Sequence, residues 1–157
     1  LMGYHYMNDL HEIRRGALLA LCQFDAGRDD DPDSVRGGLL AGDVPERLID
    51  DATAFGHDAW NGRTESDAVI ATLSTDWPIH RQPSVDRSIL RLAAWEMRSG
   101  RVSAAIAIDE AVELAREFST EQSPKFINGV LDAYRQSLEN ATPTGEPDAT
   151  PAPDHTD

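Results

Sequence analysis

The chain has 157 residues, 40% of them hydrophobic and 27% charged, with a net charge of −14. That length suits one domain with a sizeable core, and the charge on its face argues against nucleic acid. No run of about 18 apolar residues predicts a membrane span, and the single cysteine, Cys22, excludes an intrachain disulfide and a cysteine metal site.

The periodic segments all read as helices. Residues 9–26 place Leu10, Ile13, Ala17, Leu18, Leu21 and Phe24 at spacings of three and four. Residues 28–43, RDDDPDSVRGGLLAGD, read as a charged loop rich in glycine. Asp43 is expected to cap a second helix carrying Leu48, Ala52, Phe55 and Ala59, with Asn61-Gly62 at its end. Thr64 and Asp67 suggest a capping box for a third helix, with Val69, Ile70, Leu73 and Trp77 inward and Pro78 as its stop. Ser84 is the expected cap of a fourth, with Val85, Ile89, Leu92, Ala93 and Met97 inward and Gly100 closing it. A fifth, over about 104–118, separates Ala104, Ala107, Ile108, Ala111, Leu114, Ala115 and Phe118 from a polar face of Asp109, Glu110, Glu113, Arg116 and Glu117. A sixth follows Ser123, with Ile127, Val130, Leu131, Tyr134 and Leu138 inward. From Ala141 on the chain is acidic and proline-rich, so a domain over 8–140 and a disordered tail over 141–157 are expected.

The start, LMGYHYMNDLHEIRR, has no basic segment leading into an apolar one, so no signal peptide is expected and a cytoplasmic location follows; Met2 or Met7 is the expected true start. The acid is unevenly spread: residues 28–83 carry net −7 and 141–157 net −4, against −1 for 1–27 and −2 for 84–140. A local basic patch is therefore compatible with the overall charge.

The stretch FSTEQSPKFINGVLDAY, residues 118–134, is the most informative. Ser123 suits an N-cap and Pro124 the first helical position. Lys125 and Phe126 then occupy a first turn whose backbone N–H groups can receive a phosphate, with a cation and a ring beside it. Gly129 costs about 1 kcal/mol relative to Ala in a helix, which suggests a closely passing helix.

VDRSILRLAAWEM, AIDEAVELAREFS and SPKFINGVLD, in that order over residues 85–132, resemble the NusB family of bacterial antitermination factors. RRGALLALCQFD resembles the same family's first helix, and residues 28–83 match only as helices. The resemblance implies an all-α fold of two three-helix bundles packed together. It implies a binding protein rather than an enzyme, without cofactor, metal or small-molecule substrate. Family members bind the small-subunit ribosomal protein NusE, and the pair holds single-stranded boxA RNA of ribosomal RNA transcripts in the RNA polymerase antitermination complex. A helical protein-interaction module with weak or lost RNA binding is the alternative.

Carried over by position, the resemblance implies RNA contacts from Arg14, Arg15, Arg91, Lys125 and Phe126, and NusE contacts from Asp86 and Cys22. Cations on phosphates and rings on bases suit single-stranded RNA, and an acidic face suits a basic ribosomal protein. The basic arm that the family carries before its first helix is thin here, with Asp9 and Glu12 beside Arg14 and Arg15. RNA binding by the chain alone is therefore expected to be weak. Arg91 is open between an ion pair and an RNA contact, and Phe126 between core and stacking. Cys22 also reads as a small core side chain, and Glu96 as a pairing residue. Asp29, Asp31 and Asp33 lack the Gly and Glu of a calcium loop, so they read as loop acids.

Overall fold

Asp31-Pro32 begins a helix that the composition of its segment conceals. The Asp31 carboxylate accepts from the Ser34 backbone N–H (3.1 Å) and hydroxyl (2.7 Å), and Pro32 takes the first turn, where a missing N–H is harmless. Val35 and Leu39, four apart, are buried on the same face. Pro32–Ala41 is therefore helical, correcting the expected loop over 28–43.

The structure, a computed structural model, describes the backbone of residues 2–141 and the side chains of 7–141. In chain order its helices are α1 (Met2–Gln23), α2 (Pro32–Ala41), α3 (Ile49–Asn61), α4 (Arg63–Leu73), α5 (Ser84–Ser99), α6 (Ala104–Phe118) and α7 (Ser123–Ala141). A π-turn over Phe24–Arg28 ends α1, with Gly27 in the left-handed region (φ 89°). The expected disordered tail lies, from residue 142 on, outside the described residues. No helix among the described residues is long and apolar enough to cross a membrane.

Several helix ends differ from the sequence expectation. Asp43 caps nothing: it stands at φ 62° in the turn after α2, a conformation that aspartate tolerates better than most residues. No side chain caps α4, which follows Gly62 directly; Asp67 faces α5 instead of closing a capping box with Thr64. α4 stops at Leu73, before Pro78, where the Ser74 N–H and hydroxyl both donate to the Ile70 carbonyl. Ser84 lies inside α5 after Pro83 and makes no cap. Gly62 and left-handed Gly100 do end α3 and α5.

The expected apolar stripes are largely buried: Ala17, Leu18, Leu21 and Phe24 of the first, Ala52, Phe55 and Ala59 of the second, and most of their counterparts in α5, α6 and α7, while Leu10, Ile13, Val85, Ala104, Phe118 and Leu138 are only partly covered, as are Val69 and Leu73 of α4. α1 packs most extensively on α3, with α2 against both; α6 packs on α7 and α5. These are two three-helix bundles, and α4 lies against α5 and α7. α1 and α3 approach very closely. A Cβ on Gly16 would stand 2.6 Å from Ala52 Cβ, and one on Gly56 would stand 3.1 Å from the Ala17 carbonyl oxygen. α5 touches α1, α3, α4, α6 and α7 and is buried on nearly every side, polar Asp86, Ser88, Arg91 and Glu96 included.

Candidate nucleic-acid interface

The start of α7 is held by a carboxylate from α5. Asp86 is fully buried. Its Oδ2 accepts from the Ser123 hydroxyl at 2.8 Å, and its Oδ1 accepts from the Ser119 hydroxyl. Thr120 Oγ1 completes the knot by donating to Ser123 Oγ (2.8 Å). Ser123 is thus fully buried and bonded across the bundle instead of capping its own helix. Nor does Asp86 present its carboxylate on the surface, as a partner contact would require. Its role is to fix where α7 begins, and so where Lys125 and Phe126 stand.

Lys125 is exposed and makes no hydrogen bond or ion pair with any described residue. It stands between two surface grooves. One, of about 940 Å³, runs between α6 and α7 past Glu113, Arg116 and Asn128. The other, of about 810 Å³, lies between the α4 end and α7 and contains Trp77, Phe126 and Gly129. Phe126 is half-buried and meets Trp77 edge to face, ring centres 4.6 Å apart at 63°. The loop bearing Trp77 is fixed from within: buried Gln82 donates through Nε2 to the Trp77 carbonyl (3.0 Å). Trp77 was expected on the inward stripe of the third helix; here it lies beyond that helix, as a groove wall. Gly129 has no atom within 4 Å of where a Cβ would stand, so no helix passes close by, contrary to expectation. The glycine opens onto the groove.

The remaining assigned cations are engaged. Arg14 is buried and pairs with buried Glu96, Nε to Oε1 at 2.7 Å. Arg15 donates to Glu117 (2.7 Å) and to the Gly42 carbonyl (2.6 Å), with its guanidinium 5.4 Å from the Phe118 ring centre. Arg91 is buried, binds Asp67 with two parallel bonds (2.7 and 2.8 Å) and reaches Asp25 at 3.0 Å. Asp25 also accepts from Arg87. Burial alone would raise the Asp25 carboxyl, but hydrogen bonds from Arg87 and Arg91 outweigh it and hold it below the usual carboxylate range. This four-residue network ties the end of α1 to α4 and α5, and residues this distant in sequence give no local signal of it. Cys22 is half-buried beside the core; burial pushes its thiol up, which makes it a neutral contact rather than a nucleophile.

The α5 and α7 motifs are therefore one construction, joined by Asp86. A family model described as the NusB family matches residues 11–136. The chain belongs to the NusB family. It is 39% identical to the transcription antitermination protein NusB of Solibacter usitatus over 153 residues, covering 93% of this chain and 97% of that protein. To the NusB of Symbiobacterium thermophilum it is 36% identical, over 86% and 94% of the two chains. Among solved structures, NusB of T. maritima superposes with a TM-score of 0.65 at 28% identity, covering 80% of this chain and 89% of that one. A structure of antitermination factors NusB and NusE in complex with dsRNA superposes at 0.71, covering 83% and 98%; at 22% identity it shows the NusB fold alone.

Proposed function

We infer that this chain is a transcription antitermination factor. Its helical domain, residues 8–140, binds boxA RNA of ribosomal RNA transcripts together with the ribosomal protein NusE. Family membership supports the role, as does the naming of its full-length relatives as antitermination proteins. The observation that carries the RNA reading is the start of α7, where an unpaired lysine and a half-exposed phenylalanine stand side by side at the mouth of a groove. A cation for phosphate next to a ring for a base is what single-stranded RNA requires.

Lys125 and Phe126 are the direct contacts in this reading. Arg14, Arg15 and Arg91 are bonded to Glu96, Glu117, Asp25 and Asp67, and they shape the surface from beneath. That same pairing favours the second reading, a protein-interaction module with weak RNA binding. In either, NusE meets the end of α1 around Cys22, and Asp86 acts by positioning.

Fluorescence anisotropy of labelled boxA RNA, with and without NusE at two salt concentrations, separates the two. Binding that tightens with NusE and falls in Lys125→Ala/Phe126→Ala supports the first. NusE binding with no response to RNA supports the second. Absence of both overturns the antitermination role.

A further inference from the structure

We propose that the groove lined by Trp77 and Phe126 receives one unpaired base of single-stranded RNA, and that Asp76 and Glu121 make it select guanine. The proposal rests on the RNA reading above. The rings touch edge to face, so together they form one angled aromatic wall of the groove, against which a base can stack, and Gly129 leaves the groove beside that wall open. Two exposed carboxylates, Asp76 and Glu121, line the same groove, and neither makes a hydrogen bond or ion pair with a described residue. They repel phosphate, so the RNA backbone is kept out of the groove and runs past Lys125 on its rim, while a base points in.

The carboxylates also choose the base. An ionised carboxylate only accepts hydrogen bonds. Guanine alone presents two adjacent donors on its pairing edge, the ring N–H and the exocyclic amine, which match the two oxygens of one carboxylate. Adenine and cytosine each set an acceptor nitrogen beside their amine. Uracil sets its single N–H between two carbonyls, both of which repel the acid.

The test is anisotropy of fluorescein-labelled RNA dodecamers titrated with the full chain. The probes are twelve uridines, or the same with one central guanosine, adenosine, cytidine or inosine. A central guanosine is expected to tighten binding about tenfold over uridine, with inosine, which lacks the exocyclic amine, in between. Trp77→Leu should weaken every probe about tenfold, and Trp77→Phe should restore most of the loss. Asp76→Ala/Glu121→Ala should bind the all-uridine probe more tightly and lose the preference for guanosine. Equal affinity for all probes, a preference that survives the double substitution, or indifference to Trp77→Leu overturns the proposal. If binding still depends on Lys125 and Phe126 in those cases, the RNA reading stands. No binding of any probe, alone or with NusE, overturns both.

Discussion

Asp86 shows how a residue can matter to binding without touching a ligand. Its carboxylate is the acceptor for two hydroxyls, one of them on fully buried Ser123, and truncation leaves that buried hydroxyl without its acceptor. Asp86→Ala should cost about 1–3 kcal/mol in urea unfolding and weaken RNA binding as the start of α7 loosens. Full stability in that variant would sink the positioning role. Asp25 gives a pH signature. Its pKa is depressed in the fold, so its contribution is present above the unfolded value of about 3.9 and is lost as pH falls through the lower folded value. The stability difference between the native chain and Asp25→Asn should therefore be constant near neutrality and shrink below about pH 4, as read from unfolding midpoints across pH. Lys125 is the chain's only lysine. A lysine-directed acylating reagent should modify this one ε-amine, and boxA RNA should protect it, as read by mass spectrometry.

Glycines divide the helices into packed and open faces. At Gly16 a methyl group would collide with Ala52; Gly16→Ala is expected to destabilise by about 1–3 kcal/mol through overpacking. At Gly129 the space is empty, so Gly129→Ala should gain about 0.5–1 kcal/mol from helix propensity yet weaken RNA binding by narrowing the groove. Thermal melts and anisotropy on the two variants check both signs. The sequence pattern could not separate these glycines, because each is a gap in an apolar period and only the neighbouring element decides what fills it. The stripes of α1, α3, α5, α6 and α7 were legible because a buried face repeats every three to four residues. α2 was not: its aspartates and glycines argue for a loop, and burial of Val35 and Leu39 overrides them. At the site, Lys125 and Phe126 were legible as a first-turn pair, whereas Trp77 and the partners of Arg14 and Arg91 depend on tertiary contacts.

Across the whole molecule, the net charge of −14 and the pairing of most positive side chains with acids both leave little free positive charge to meet RNA. Of the cations assigned to RNA, Lys125 alone has no acidic partner among the described residues. Salt dependence follows from counterion release, with a slope of about −0.7 per phosphate neutralised on a single strand. The chain alone should show a slope near that single-contact value, and the complex with basic NusE a steeper one. A slope of several units for the chain alone would mean that the paired arginines open to meet RNA. The buried position of α5 bears on more than the site. Because both bundles pack on this one helix, neither half retains a closed core without it, and the domain should melt in a single calorimetric transition. The backbone amides in the middle of α5 should be the slowest to exchange with deuterium, opening only when the whole fold opens.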